Sequence, residues 1–78
     1  MKILPYEEAH NITGDKIYQL RIEKGWSQEQ LATKMQVAGI QINQKAISRI
    51  ESGDRVVTDY ELKQFALIFN VTTDSMLK

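Results

Sequence analysis

Apolar residues recur with helical spacing along almost the whole chain. The clearest case is a set of four spaced i, i+3, i+4 and i+7: Leu62, Phe65, Ala66 and Phe69. That period places all four on one face of a helix. Only "GIQIN", at 39–43, alternates as a half-buried strand would. The pattern therefore predicts an all-α fold.

The chain has 78 residues and no cysteine. A domain of this size buries only about 60% of the surface that its unfolded chain exposes, which leaves little room for a large enclosed active site. Without cysteine, neither a disulfide nor a thiolate zinc site can stabilise the fold, so helix packing must do so. We expect residues 1–78 to form a single domain, with residues 1–10 as a mobile arm.

Neither export nor membrane insertion is expected. Pro5, Glu7 and Glu8 interrupt the N-terminal region before an apolar signal core could form. The longest apolar run, "FALIF" at 65–69, is too short to cross a bilayer. We therefore expect a soluble protein, and its lack of cysteine is compatible with a reducing cytoplasm.

Capping signals divide the chain into five predicted helices. Ser27 followed by Gln30 forms a capping box at the start of the second helix, which "VAGI" at 37–40 ends. Gly14 weakens the first turn of the first helix. The other four helices are expected at about 12–24, from Asn43 to Gly53, from Thr58 or Asp59 to Asn70, and from about Thr73.

The inward faces of these helices supply the predicted core. Its members are apolar residues at helical spacing: Leu20, Leu31, Ala32, Ile47, Ile50, Leu62, Phe65, Ala66 and Phe69. The last turn is expected to return Met76 and Leu77 to this core. Trp26 is expected to pack as a hydrophobic staple at the start of the second helix, rather than to form a platform for stacked bases.

The composition argues against an enzyme. His10 is the only histidine, and no cysteine accompanies it to make a metal or nucleophile site. The four glycines are scattered, so the chain lacks a phosphate-cradling loop. Ten Lys and Arg balance ten Asp and Glu, so bulk charge alone implies no polyanionic partner. We expect no catalytic residue, no metal and no cofactor.

The stretch "NQKAISRIESGDR", residues 43–55, predicts a short helix with a polar surface. Ile47 and Ile50 are its only large apolar residues, and Ser52-Gly53 ends it. A helix, a connection and a short helix with a polar, exposed start form the order of a helix-turn-helix. In that motif the second helix enters the major groove of DNA.

Three stretches, "LRIEKGWSQEQLATKM", "AISRIESGDR" and "ELKQFALIFNV", resemble the lambda-repressor-like, Cro/XRE-type helix-turn-helix domain of bacterial and phage regulators. The resemblance covers about residues 12–77. It implies a five-helix fold and sequence-specific binding of double-stranded DNA. One departure is a connection between helices 2 and 3 that is about five residues longer than the usual family turn.

The resemblance implies a DNA-binding surface around helix 43–52: Gln28, Asn43, Gln44, Lys45, Ser48, Arg49, Ser52 and Arg55. Within it, Gln44 and Lys45 occupy the first turn of the helix, from which side chains reach base edges. Gln28 binds a phosphate or braces that helix. The alternative is that the third helix has a merely solvated face. Asn43 would then be only its cap, and Gln28 only a residue at the start of the second helix.

Further along the same surface, Ser48 and Arg49 lie one helical turn on and continue its donor-rich face. Arg49 suits guanine or the DNA backbone. Ser52 and Arg55 are expected to contact the DNA backbone beyond the helix end. Lys34, on the second helix, is interpreted as a solvated charge.

Arg21 and Glu51 have a different implied role. By the resemblance, they form an internal ion pair that ties the first helix to the third. That role is structural, because removing one partner leaves the other charge buried. The alternative is that both are unpaired charges on the surface.

Dimerisation is expected from a modest local charge. Residues 16–55 carry seven Lys and Arg against four Asp and Glu. Such a weak excess suggests modest affinity per domain, which small readers of DNA usually raise by dimerising on a two-fold site. Leu67, on the outer side of the fourth helix, is the candidate seam of a homodimer. The alternative is one of the scattered exposed leucines that are common on proteins.

These observations predict a cytoplasmic, DNA-binding transcriptional regulator that acts without a cofactor by occupying an operator. The alternative is a protein-interaction module, such as an antitoxin or adaptor, in which the same fold binds a protein partner. Hydrogen-bond donors on the exposed face of the third helix favour DNA.

Overall fold

The computed structural model describes the backbone of residues 6–77 and the side chains of residues 12–77. Within that part of the chain it consists of five helices without a strand: α1 (Tyr6–Lys24), α2 (Gln28–Val37), α3 (Gln44–Glu51), α4 (Asp59–Phe69) and α5 (Thr73–Met76). The predicted all-α, five-helix fold is therefore confirmed. So is the long connection between α2 and α3, which comprises residues 38–43.

The first helix begins earlier than the sequence suggested. α1 starts at Tyr6, whereas a start at about residue 12 was expected. The helix thus includes residues 6–10 of the expected mobile arm, and residues 1–5 of that arm lie outside the described residues. Gly14, interpreted as a weak first turn, instead lies inside α1.

Gly14 marks a close crossing of α1 and α3. A Cβ atom added to it would collide with the carbonyl oxygen of Ile50. The absence of a side chain therefore lets the backbones of the two helices approach each other, and this contact outweighs the low helix propensity of glycine.

The core gathers residues from all five helices and from the α2–α3 connection: Ile17, Leu31, Ala32, Met35, Ile42, Ile47, Ile50, Phe65, Ala66, Phe69 and Met76. Leu20 and Leu62, also expected there, are half-buried and pack against it. Ile42 is an addition that helical periodicity did not reveal, because it lies in the connection. Trp26 is half-buried and stacks on Phe69, with 5.6 Å between the ring centroids.

One core prediction at the C-terminal end is wrong. Met76 is fully buried, but Leu77 is 53% exposed. Leu77 directly follows Met76 as the C-cap of α5, and neighbouring helical positions are about 100° apart. Burying Met76 therefore turns Leu77 towards solvent.

The predicted helix caps are present. Ser27 Oγ accepts a hydrogen bond from the backbone N–H of Gln30, and Gln30 Oε1 accepts one from the N–H of Ser27, at 3.0 and 2.8 Å. Asn43 Oδ1 accepts from the N–H of Ala46 at 2.8 Å. Asn70 ends α4 in the left-handed conformation, with φ of 59°. These caps satisfy backbone groups that helix ends leave unpaired.

Candidate nucleic-acid interface

The third helix has two chemically distinct faces. Its inner face buries Ile47 and Ile50 against the core, at 0% and 1% exposure. Its outer face carries Gln44, Lys45 and Arg49, which are exposed, with half-buried Ser48 among them. Because the apolar side chains fix the rotation of α3, its polar face is held towards solvent.

The outer face is connected to the interior by a chain of four side chains. Arg21 of α1 pairs with Glu51 at the end of α3. Glu51 Oε1 also accepts a hydrogen bond from Gln28 Nε2 at 3.0 Å. Gln28 Oε1 in turn accepts from Gln44 Nε2 at 2.6 Å. Residues from α1, α2 and both ends of α3 are thereby joined.

The ion pair at the base of this chain is bidentate. Arg21 Nε and Nη2 donate to Glu51 Oε2 and Oε1 at 2.7 and 2.8 Å, and Arg21 Nη1 donates to the carbonyl oxygen of Trp26 at 2.8 Å. The side chains of Arg21 and Glu51 are only 9% and 6% exposed. The hydrogen bond with Glu51 raises the pKa of Arg21 above its ordinary value, against the effect of burial. Arg21 and Glu51 are therefore paired and largely buried, rather than unpaired charges on the surface.

Gln28 lies between the ion pair and the surface. Its Nε2 is engaged by Glu51 and its Oε1 by Gln44. That arrangement orients the Gln44 amide at the start of α3. Within the described part of the chain, the Gln44 oxygen and its second N–H have no protein partner, so an acceptor and a donor remain for a ligand.

Two residues that were predicted to contact the DNA backbone have protein partners within the fold. Ser52 caps α3, and its Oγ lies 3.1 Å from the carbonyl oxygen of Arg49 and 3.2 Å from Asp54 Oδ2. Arg55 binds both carboxylate oxygens of Glu61, at 3.1 and 3.0 Å. Arg55 is thus held at the start of α4, while Ser52 stays at the end of α3.

Glu61 is the residue that sequence reasoning missed here. It is 4% exposed, and besides Arg55 its carboxylate accepts a hydrogen bond from the N–H of Thr58 at 3.0 Å. Burial raises the pKa of Glu61, but the hydrogen bonds from Arg55 and Thr58 outweigh it and hold the pKa below its ordinary value. The signal was present, since Thr58-x-x-Glu61 has capping-box spacing.

Two cationic side chains on α3 and one on α2 differ in their surroundings. The side chains of Lys45 and Arg49 are exposed on α3 and form no ion pair or hydrogen bond with other described residues. Lys34 Nζ instead lies 4.4 Å from the centroid of the Trp26 ring, in a cation–π contact. Two unneutralised cations therefore accompany Gln44 on the outer face of α3.

Comparison with known proteins agrees with this geometry. The helix-turn-helix family of the Cro/C1 type matches residues 17–76, which is most of the chain and includes α2, the connection and α3. Among curated proteins, none matches the chain. No helix in the described residues combines the length and apolar character that crossing a membrane requires.

Proposed function

Because this chain belongs to the Cro/C1-type helix-turn-helix family, we propose that it is a sequence-specific transcriptional regulator that places α3 in the major groove of double-stranded DNA. The observation that supports this most is the outer face of α3. Gln44 is braced there by Gln28, with an amide oxygen and an N–H unused, and Lys45 and Arg49 stand beside it. That set of groups suits base edges and phosphates.

The side chains on this face, and Gln28 behind them, have roles that follow from their chemistry. Gln44 presents an acceptor and a donor together, which match the N6 and N7 positions of adenine. Lys45 and Arg49 carry full charges that suit guanine acceptors or phosphates. Gln28 is a positioning residue, because it holds the Gln44 amide before DNA arrives and so reduces the ordering cost of binding.

Three further residues complete the proposed interface. Asn43 and Ser48 flank the first turn of α3, where hydroxyl and amide groups meet phosphates or bases. Ser52 closes the helix and remains exposed. Arg55 contributes indirectly in this scheme, because its pair with Glu61 fixes the path of the chain from α3 to α4.

Regulation by operator occupancy fits a small protein with a weak local charge. Residues 16–55 carry seven Lys and Arg against four Asp and Glu. A homodimer on a two-fold site would double the number of phosphate contacts. For its seam we propose the outer face of α4, where Tyr60 and Leu67 are 65% and 62% exposed and lie two turns apart. The protein would act in the cytoplasm without a cofactor.

The test is selection of binding sites from random duplexes by the purified protein. The proposal predicts enrichment of one short motif, and a two-fold repeat of it if the dimer forms. If no motif is enriched and purified chain binds all duplexes equally weakly, sequence-specific regulation is wrong. The alternative of an antitoxin or adaptor that binds a protein would then be favoured.

A further inference from the structure

The long connection between α2 and α3 is an ordered element. Gly39 takes the left-handed conformation, with φ of 92°. The N–H of Gly39 donates to the carbonyl oxygen of Gln36, and that of Ile40 to the carbonyl oxygen of Met35, both at 2.9 Å. These bonds close the end of α2. The extra residues therefore leave α2 at a defined turn.

After that turn the chain is anchored on both sides of a single exposed residue. Ile40 is half-buried against the core, and Ile42 is 4% exposed. Gln36 Nε2 also donates to the carbonyl oxygen of Ile42 at 2.8 Å. Gln41 lies between these two anchored residues. It is exposed and has no hydrogen bond to any described residue.

Gln41 precedes α3 in the chain, close to the N-terminal end of the helix, where Gln44 lies. Asn43, which caps α3, is only two residues further along the chain. Three residues of extended chain span about 10 Å at most. Successive base pairs are about 3.4 Å apart, so a side chain at position 41 reaches within roughly three base pairs of the pair that Gln44 contacts.

We propose that Gln41 is a second specificity-determining residue, which reads a base pair adjacent to those read by α3. This inference rests on the proposed function, in which α3 occupies the major groove. A glutamine amide offers a donor and an acceptor to base edges, as Gln44 does. The anchored backbone presents it without the entropy cost of ordering a loose loop on binding. The connection thus extends the interface beyond α3.

The experiment compares motifs selected from random duplexes by the full chain and by three variants: Gln41→Ala, Gln44→Ala and Gln19→Ala. Gln19 is an exposed glutamine of α1 and serves as the matched control. Gln41→Ala should erase the preference at one or more flanking base pairs and leave the preference set by Gln44. Its Kd on the selected site should rise by about 5-fold or more. Gln19→Ala should change neither.

A double-mutant cycle tests the anchoring. If Gln36 presents Gln41 through its bond to Ile42, Gln41→Ala should weaken binding less in a Gln36→Ala background than in the wild type. Circular dichroism checks that each variant keeps its helices. Equal losses in both backgrounds would overturn the anchoring role of Gln36.

The outcomes separate this inference from the proposed function. If Gln44→Ala alters the selected motif but Gln41→Ala changes neither motif nor affinity, the role of Gln41 is wrong while the proposed function stands. If Gln41→Ala weakens all duplexes equally, Gln41 contacts the backbone only, and its role in specificity is overturned. If the wild type selects no motif, both proposals fail together.

Discussion

Replacing Arg21 by alanine should destabilise the fold strongly, although the residue is charged. The substitution leaves the Glu51 carboxylate, 6% exposed, with Gln28 as its remaining side-chain donor. Breaking a buried pair by removing one partner costs about 3–5 kcal/mol. A domain of this size has a total stability of roughly 4–12 kcal/mol. The loss is therefore a large share of the free energy of unfolding.

Urea denaturation followed by circular dichroism measures this loss. For a small domain the dependence of the unfolding free energy on urea is about 1 kcal/mol per molar, so the midpoint should fall by about 3 M or more. Glu51→Ala should have a similar effect, because it leaves the Arg21 guanidinium with the Trp26 carbonyl oxygen. The double variant should be less destabilised than the sum of the single variants. Additive losses would refute the pairing argument.

Three substitutions outside the chain of four residues test other features of the molecule. Gly14→Ala should destabilise the fold by about 1–3 kcal/mol in urea denaturation, because its methyl group meets the Ile50 carbonyl oxygen. The pKa of Glu61 is lower in the folded protein than in the unfolded chain, so its ionised carboxylate adds to the free energy of unfolding above the unfolded pKa. That contribution is lost as the pH falls through the folded pKa. Glu61→Gln should therefore flatten the acid side of the plot of stability against pH. Leu67→Glu should leave the monomer folded but weaken both self-association, measured by sedimentation, and DNA binding. A monomer at all concentrations before mutation would exclude the α4 seam.

Features set by a few neighbouring residues could be predicted from the sequence. Ser27, Asn43 and Asn70 cap their helices as expected, because capping depends on residues within one turn. The inner faces of α3 and α4 followed from periodicity for the same reason. Local chemistry therefore revealed the order of the helices and most of the core.

Features set by distant residues could not be read from local patterns. The need for glycine at position 14 depends on Ile50, whose carbonyl oxygen approaches it only once α1 and α3 have packed. The partner of Arg55 depends on where α4 begins. The hydrogen bond that Gln44 donates to Gln28 likewise depends on the angle between α2 and α3, which the long connection had left open. These contacts are properties of the packed fold.

The central claim, that α3 reads sequence, is tested most directly by the affinity of Gln44→Ala for the selected duplex and for random DNA. The claim predicts a loss of about 1–3 kcal/mol on the selected duplex and little loss on random DNA. Because Gln44 is uncharged, the slope of log affinity against log salt should stay unchanged, whereas Lys45→Ala should make it shallower by about 0.9 if Lys45 neutralises a phosphate. An equal loss on both duplexes for Gln44→Ala would contradict the claim.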